Sequence, residues 1–382
     1  MRRHDHAHST RGRLAGAIAL GAALAFGAGA PGQASAQAAG EWDKIVAAAE
    51  VEGEVAVFTM PNIRFRQFVQ SQWPKDYPKI KMTQTAIPAQ DFVPRLLNER
   101  KSNLFLWDAA FNGPIVGYTM MPHAVLDPVL PEFVHADIRN PETWGGWDQA
   151  FFDKEQKYVF GVHAFLKTPH YNAKIISPDR VKAAGTKIFL DPEYKGKIMW
   201  QDPLLPSGGQ TFSMIFRRLL GDDGLRTFVQ DQAVFVPQAA TIIEKMARGQ
   251  IAISIGPTVT QQLETYREAG LKLDVRPLGN TPEYGAHASV GGTALMVFNK
   301  RPHPNATRVF VNWLASKEVQ TALSRAMRLD SRRTDVPSVA EAGAEVVRGV
   351  TYIEPARQEH LKEVRDARDF IKAAREAAGP KG

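Results

Sequence analysis

The segment DPLLPSGGQTFSMIF, residues 202–216, places hydroxyl, amide and glycine residues directly before an apolar helical pattern. Helix starts carry unpaired N–H groups and a partial positive charge, which favour carboxylates, phosphates and other anions. Ser207 and Gln210 also fit the capping-box pattern S-x-x-Q, which needs no ligand. Gly208 and Gly209 add the binding alternative, because residues without Cβ atoms let a ligand approach the backbone amides closely. The pattern predicts either a helix cap or an anion site.

Polar residues also stand at the ends of other predicted strands. In open α/β sheets, ligands bind beyond the carboxyl ends of the strands, so these residues are candidates for the same site. They are Thr59, Asn62, Asn112 and Thr258, and Thr211 belongs to the same segment as Ser207. A helix cap is the simpler role for Asn62 and for Thr258 when each is taken singly.

Patterns for catalysis are weak in this chain. The stretch HASVG around Ser289 is close to a nucleophile elbow, but its first glycine is missing and no strand-to-helix pattern surrounds it. His163 and His170 lie seven residues apart, which suits neither a helix face nor the usual zinc spacing. The chain contains no phosphate-binding or dinucleotide-binding glycine motif. A secreted hydrolase with Ser289 as nucleophile and His287 or His303 as base is therefore only a rival hypothesis.

The first 36 residues are typical of a signal peptide. Four arginines and one aspartate precede an uncharged stretch from Leu14 to Ala30, and Ala34-Ser35-Ala36 is a small-x-small cleavage pattern. The apolar stretch is rich in Ala and Gly and short for a transmembrane anchor. These features predict export to the bacterial periplasm and a mature chain that starts near Gln37.

Composition narrows the remaining classes of protein. The 346 residues that follow the predicted leader suggest two domains or one large α/β unit. The leader's excess of three positive charges leaves +4 of the formal net charge of +7. No basic run with interleaved aromatic residues is present, so nucleic-acid binding is not expected. A mild positive excess can help to attract a small anion. The absence of cysteine excludes disulfides, thiolate chemistry and cysteine-ligated zinc.

Short β-like runs alternate with helical patterns along most of the chain. The runs are EVAVF, KIKMTQ, LWDAAF, KYVFGVHAF, GKIMWQDP, IAISI and TALMVF. This alternation predicts an α/β fold around a mainly parallel sheet. The helix that begins near Gln210 is expected to stop at Gly221, and a last helix follows Ala356 and packs on a lobe.

The order and spacing of longer segments indicate a family. They are EGEVAVFT, YNAKIISP, DPEYKGKIMWQDPLLPSGG, MARGQIAISIG and VGGTALMVFNKRPHPNATRVFVNWLASKEVQTAL. In these segments and in its leader the chain resembles the extracellular solute-binding proteins of bacterial ABC importers. The branch it resembles contains ferric-iron, spermidine/putrescine and phosphonate binders.

The resemblance implies a periplasmic-binding-protein type II fold. Two α/β lobes joined by crossover strands would enclose a ligand cleft that closes by hinge motion. Residues 37–153 would form the first part of lobe 1 and residues 154–285 lobe 2. Residues 286–382 would return to lobe 1 and add the C-terminal helices. In such proteins the loop and helix start at Ser207 face the cleft, which favours binding over a cap alone.

The resulting hypothesis is a non-enzymatic receptor for a small anionic organic solute of carboxylate or phosphonate type, without a cofactor or a bound metal. Its expected ligand contacts are Thr59, Asn62, Asn112, Phe165, Ser207, Gly208, Gly209, Gln210, Thr211, Thr258 and Arg328. Phe165 or Trp200 would supply an apolar wall, although core packing is the simpler role for each. Arg328 or Arg332 would close over the solute, with a solvated arginine as the alternative. The implied partners are a membrane permease and an ATPase, with the receptor itself a monomer.

One departure from the family bears on the solute. Ferric binders of this family carry adjacent tyrosines soon after a strand like IAISI, whereas Gly256-Pro257-Thr258 follows here and the chain has no Tyr-Tyr pair. Direct iron binding is therefore disfavoured. A receptor for Fe(III) or for a polyamine remains the alternative within the family.

Overall fold

The computed structural model describes residues 31–205, 207–257, 263, 266–279, 289–340, 344–346 and 352–379, with the backbone alone at 31–39 and 289–291. The helices are α1 (Pro31–Glu52), α2 (Ile63–Asp76), α3 (Ala89–Lys101), α4 (Pro114–Met120), α5 (Ala136–Arg139), α6 (Trp147–Ala150), α7 (Pro178–Ala184), α8 (Gln210–Thr227), α9 (Ala239–Ala247), α10 (Pro304–Ala315), α11 (Lys317–Met327) and α12 (Leu361–Ala378). The predicted leader lies mostly outside these residues. None of the helices within them is long and apolar enough to cross a membrane.

The strands form three sheets. They are β1 (Glu54–Thr59), β2 (Lys81–Ala86), β3 (Ala109–Asn112), β4 (Leu126–Asp127), β5 (Phe160–Gly161), β6 (His163–Lys167), β7 (His170–Asn172), β8 (Ile198–Gln201), β9 (Ala233–Val236), β10 (Ile253–Ile255), β11 (Val275–Pro277), β12 (Ser289–Gly291), β13 (Ala294–Phe298) and β14 (Asp330–Ser331). Single turns of 3-10 helix and one π-helical turn, Phe228–Gln232, connect several of them.

The first sheet has six strands in the order β2-β1-β3-β13-β4, with β5 paired to β13. Strands β1, β2 and β3 are parallel, and β13 pairs antiparallel to β3. The helix α2 covers this sheet because Phe65, Val69 and Trp73 recur at i, i+4 and i+8 and are buried. Parallel pairing brings the carboxyl ends of β1, β2 and β3 to one edge.

The second sheet has the order β11-β7-β10-β8-β9. Strand β8 is parallel to both β9 and β10, whereas β7 pairs antiparallel to β10 and to β11. Its core contains Trp200 and Phe216, whose ring centroids lie 5.1 Å apart. The helix α8 supplies Phe216, and its helical conformation is interrupted at Gly221, as predicted, where φ is +66°.

The third sheet is small and joins the two larger ones. It has the order β12-β6-β14, with both pairings antiparallel. The chain enters it directly from β5 of the first sheet and continues into β7 of the second. These are the crossover strands of a two-lobed α/β fold, and the predicted fold class is confirmed.

The observed architecture differs from the predicted one in three details. The sheets are mixed rather than mainly parallel, because β13 runs antiparallel in the first and β7 in the second. The run LWDAAF forms a strand only from Ala109, and KYVFGVHAF is divided into β5 and β6 around Val162. Val162 donates from its backbone N–H to the carbonyl of Thr293, so the chain stays bonded there while it changes sheets.

The last helix packs on a different part of the molecule than expected. The sequence assigned residues 286–382 to the return into lobe 1, but α12 packs against α8. Its buried Ile371 and Ala374 belong to the apolar core of the second sheet. Gln230 also donates from Nε2 to the carbonyl of Ala374 at 3.0 Å. The helix is amphipathic, and its apolar stripe packs on α8, where Ala367 and Val364 contact the cluster that contains Met214 and Ile215.

Candidate functional site

The glycine loop after β8, residues 202–209, packs against its own strand ends. A Cβ atom built on Gly208 would collide with the carbonyl oxygen of Gly256, and one on Gly209 with the carbonyl oxygen of Gln201. Trp200 Nε1 donates to the carbonyl of Gly209 at 3.1 Å. Backbone contact between neighbouring strand ends therefore requires both glycines, and ligand access is not needed to explain them.

The polar groups of this loop bond largely within the loop. Ser207 Oγ donates to the Asp202 carbonyl at 2.7 Å and accepts from the Gly209 N–H at 3.1 Å. Gln210 Nε2 donates to the Leu205 carbonyl at 2.8 Å. The predicted capping box is therefore wrong in detail, since Gly209 is the N-cap of α8 and Ser207 forms a serine turn before it.

Two of the predicted contacts on the first sheet also have internal hydrogen bonds. Thr59 is buried at the end of β1, where its Oγ1 accepts from Gln84 Nε2 at 2.9 Å. Asn62 caps α2, with its Oδ1 accepting from the Phe65 N–H at 3.0 Å. The cap role that the sequence favoured for Asn62 is thereby confirmed.

Asn112 differs from these two because one of its polar atoms stays unpaired. Its Oδ1 accepts from the Gly113 N–H at 2.8 Å. Its Nδ2 is buried and has no hydrogen-bond partner within the described residues. A buried N–H group without a partner is costly, so this donor is available to an oxygen atom that enters the site.

The crossover strand β6 has a second face of candidate site residues, of which the sequence prediction included only Phe165. Side chains alternate along a strand, and Ala164 and Leu166 point into the second core. His163, Phe165 and Lys167 therefore share the opposite face. The sequence signal was present in HAFLK, where polar or aromatic residues alternate with aliphatic ones, but the predicted strand was interpreted mainly as packing.

At one end of this face His163 is fully buried. Its Nδ1 lies 2.8 Å from Thr293 Oγ1, and its ring packs edge-on against Phe111 with centroids 5.9 Å apart. Its Nε2 has no hydrogen-bond partner within the described residues. Burial first, and the nearby positive charge of Arg332 second, lower the pKa of His163 to about 3, so the imidazole is neutral at pH 7.

At the other end Lys167 is half-buried, and within the described residues its side-chain amine forms no hydrogen bond or ion pair. Its Nζ lies 5.8 Å from the ring centroid of Phe165. Burial lowers the pKa of Lys167 to about 8. At pH 7 the amine is still mostly protonated, so it is a poorly solvated cation that favours an anionic partner.

The two predicted arginines have different surroundings. Arg332 is nearly buried, stacks over Phe152 at 4.5 Å and donates to Glu354 Oε1 at 2.6 Å. It also donates to the backbone carbonyls of Gln149 and His163 at 2.7 and 3.2 Å. These contacts hold Arg332 in place as a structural residue, which corrects its expected role over the solute.

Arg328 ends α11 in the left-handed conformation, with φ of +53°, and is exposed. Thr258 lies outside the described residues. Phe165 is half-buried, as a wall residue should be, whereas Trp200 is fully buried in the second core. Core packing is therefore the role of Trp200, and Arg328, Thr258 and Phe165 stay proposed contacts.

Within the described parts of the chain, no group of side chains is arranged as the site of a hydrolase or of a metal receptor, the two rival functions. His303 Nδ1 lies 2.8 Å from Asp108 Oδ2, and Asp108 also accepts from two backbone N–H groups, those of Ala56 and His303. This pairing holds the turn after β13 against β1. His287 and the side chain of Ser289 fall outside the description. Within the described residues no group of three His, Asp or Glu side chains is arranged to hold a metal ion.

A family model of bacterial extracellular solute-binding proteins matches residues 33–348. The match spans most of the chain, so the protein belongs to this family, whose members are the solute-binding components of ABC transporters and work with a permease and an ATPase. They are transport proteins and generally not enzymes. No curated protein matches the chain.

Solved structures share the fold at low sequence identity. Iron-bound HitA from Pseudomonas aeruginosa has a TM-score of 0.60 at 14% identity, over 84% of this chain and 99% of that one. IdiA (FutA) of Trichodesmium, solved with iron and citrate, has a TM-score of 0.60 at 16% identity, over 86% and 100% of the two chains. The GacH receptor of Streptomyces glaucescens, solved with acarbose, has a TM-score of 0.58 at 16% identity, over 85% and 95%. Because these relatives bind different ligands, the fold does not select the solute.

Proposed function

We propose that this protein is the periplasmic receptor of an ABC importer and that its solute is a small organic anion. The observation that carries the charge of the solute is Lys167, an amine with no bonded partner among the described residues, on the strand that crosses between the lobes. A crossover strand lies at the base of an interlobe cleft, where a ligand touches both lobes. A poorly solvated ammonium there gains a charge-assisted hydrogen bond when a carboxylate or phosphonate enters.

His163 and Asn112 support the same proposal. Each has a buried nitrogen without a partner in the described structure. Ala294 of β13 pairs with Asn112 of β3 and with Gly161 of β5, and His163 follows two residues after Gly161. A neutral imidazole and a carboxamide can both donate to an oxyanion. For a polyamine, carboxylates would be expected in the place that Lys167 occupies.

The glycine loop has a smaller part in this proposal than the sequence indicated. The side-chain oxygen of Ser207 is engaged within the loop, so only backbone N–H groups at the start of α8 would remain for a ligand. Ser207, Gly208, Gly209, Gln210 and Thr211 would then form one lip of the cleft. Signal-peptide export, a return of the chain to lobe 1 near residue 285, and a monomeric receptor belong to the proposal as well. The change of lobe predicted at residue 153 is placed later, because β5 still pairs with β13 in the first sheet.

The test of the charge is a pair of substitutions at Lys167. Lys167→Met should weaken binding of the tightest organic acid in a panel about 100-fold, since a charged hydrogen bond contributes about 1.5–3 kcal/mol. Lys167→Arg should keep most of the affinity, and Lys75→Met on exposed α2 should change nothing. Isothermal titration calorimetry gives the affinities, and urea denaturation checks that each variant is folded.

The panel should contain carboxylates, phosphonates, spermidine and Fe(III). Thermal stabilisation by carboxylates or phosphonates, lost in Lys167→Met, supports the proposal. Stabilisation by spermidine or Fe(III) alone, or full affinity for an acid in Lys167→Met, contradicts it.

A further inference from the structure

Three large apolar side chains are exposed where the chain leaves a strand at its carboxyl end. Ile63 follows β1 at the start of α2 and is 56% exposed. Ile115 follows β3 in the first turn of α4 and is 49% exposed. Leu205 follows β8 in the glycine loop and is 42% exposed. Two of these side chains lie on the first lobe and one on the second, so apolar groups stand on both sides of the cleft.

Single exposed apolar residues are common on protein surfaces, so exposure alone decides nothing. Position separates these three from other exposed leucines of the described chain. Leu106 is 45% exposed and Leu271 is 40% exposed, but both stand before a strand, β3 and β11 respectively. Ligands of α/β folds bind beyond the carboxyl ends of the strands. Of these five side chains, Ile63, Ile115 and Leu205 lie there, and Leu106 and Leu271 do not.

The base of the cleft combines charge with an aromatic surface. Lys167 Nζ lies 5.8 Å from the ring centroid of the half-buried Phe165, on the same face of β6. An oxyanion held by the amine therefore has an aromatic ring beside it. A fully hydrated solute would leave this ring and the three exposed side chains without an apolar partner, whereas burial of an apolar body against them is favourable.

We infer that the solute is amphiphilic, with one oxyanion head group held by Lys167 and an apolar body between Ile63, Ile115 and Leu205. This inference rests on the proposed function, because it names the chemical class of solute for the same cleft. The fitting class is an aryl or branched aliphatic carboxylate or phosphonate. Inorganic phosphate, acetate and polyhydroxylated acids fit less well, because they carry no apolar body.

The first experiment compares head group and body by calorimetry on the wild-type protein. The probes are benzoate, phenylphosphonate and 4-methylpentanoate, with acetate, inorganic phosphate and neutral benzamide as controls. At least one amphiphilic probe should bind 30-fold or more tighter than acetate and phosphate, and benzamide should not bind. Equal affinity for acetate and for all three amphiphilic acids would overturn the inference while leaving the receptor for an anion intact. If no oxyanion binds and spermidine or Fe(III) does, the proposed function itself is overturned.

The second experiment tests the apolar contact with a matched pair of variants on either side of β3. Ile115→Ser should weaken the tightest amphiphilic probe about tenfold and leave acetate unchanged, because only the apolar body loses its contact. Leu106→Ser removes a side chain of similar exposure before the strand and should change neither affinity. If Ile115→Ser weakens the affinity for acetate and for the amphiphilic probe equally, the side chain of Ile115 does not contact the apolar body specifically. It would instead contact the other lobe on closure, and this result would overturn the assigned contact. An unchanged affinity for both in Ile115→Ser would overturn it as well, and thermal unfolding of both variants confirms that they fold.

Discussion

The glycine loop and the polar face of β6 differ in how well their sequences predict a binding role. The loop has the sequence of a binding site but its groups bond internally, whereas the face of β6 has an ordinary sequence and unused polar groups. The loop contains serine and glycine, which are common in binding sites, yet its glycines contact neighbouring backbone and its serine bonds within the loop. The face of β6 has an ordinary strand sequence, but His163 Nε2 and Lys167 Nζ have no hydrogen-bond partner within the described part of the chain. The residue type shows which side chains are able to bind a ligand. The absence of an internal hydrogen-bond partner shows which of them are still free to do so.

The largest expected effect concerns the stability of the loop. Gly209→Val should lower the free energy of unfolding by about 3 kcal/mol or more, because the new side chain is forced into the Gln201 carbonyl. Gly208→Val should be similarly destabilising through Gly256.

Gly113→Ala is the control for these variants. A Cβ atom at Gly113 has nothing within 4 Å, and its φ of −65° suits any residue. Urea denaturation of the three variants measures the difference. If Gly209→Val unfolds at the wild-type urea concentration, the loop is not packed as described and its glycines are free for a ligand.

The second prediction concerns the face of β6 and the pH dependence of binding. In the proposed function the protonated amine of Lys167 would hold the anion, and burial lowers the pKa of this amine to about 8. Affinity should be constant below about pH 7 and should fall as pH rises through 8, by up to about tenfold per pH unit, because the fraction of charged amine falls by that factor. Calorimetry from pH 6 to pH 10 with an acid that stays ionised measures it. A flat profile to pH 10 would show that Lys167 does not hold the anion, and Lys167→Arg should shift the decline beyond this range.

The third prediction uses the buried imidazole at the other end of the same face. The pKa of His163 is about 3 in the folded protein, against about 6.5 in an unfolded chain. Between these two pH values the unfolded state therefore binds more protons than the folded state. The contribution of neutral His163 to the free energy of unfolding is fully present above about pH 6.5 and is lost as pH falls. The loss attributable to His163 should approach about 1.4 kcal/mol per pH unit below 6.

His163→Gln removes the titrating group while keeping a polar side chain of similar length. Urea denaturation at pH 7 and pH 5 should therefore show a smaller loss of stability for His163→Gln than for the wild type. An identical loss in both proteins would mean that His163 takes up a proton in the folded state, and hence that it is more accessible to water than described.

The fold was predictable because its signals are local. EVAVF and TALMVF are buried apolar runs that became β1 and β13, and Gly221 interrupts α8 where the apolar pattern ends. The site was less predictable because its decisive facts are not local. Whether Gly208 serves a ligand or the fold depends on Gly256, which β10 brings alongside β8 from a distant part of the sequence. That Lys167 has no partner for its amine among the described residues depends on the elements around it, and no pattern in HAFLK predicts this.

The smallest expected effect tests directly whether the glycine loop, like the polar face of β6, contacts the solute. Ser207→Ala removes two hydrogen bonds of the loop, the one donated to the Asp202 carbonyl and the one accepted from Gly209. It should cost about 1 kcal/mol of stability, the lower end for two bonds of about 0.5–1.5 kcal/mol each, because Ser207 is only half-buried. It should change solute affinity less than twofold. Calorimetry and urea denaturation of the same preparation give both values. A large loss of affinity without a loss of stability would mean that Ser207 Oγ leaves its internal partners to bind the solute, and the loop would then rank beside Lys167 as part of the site.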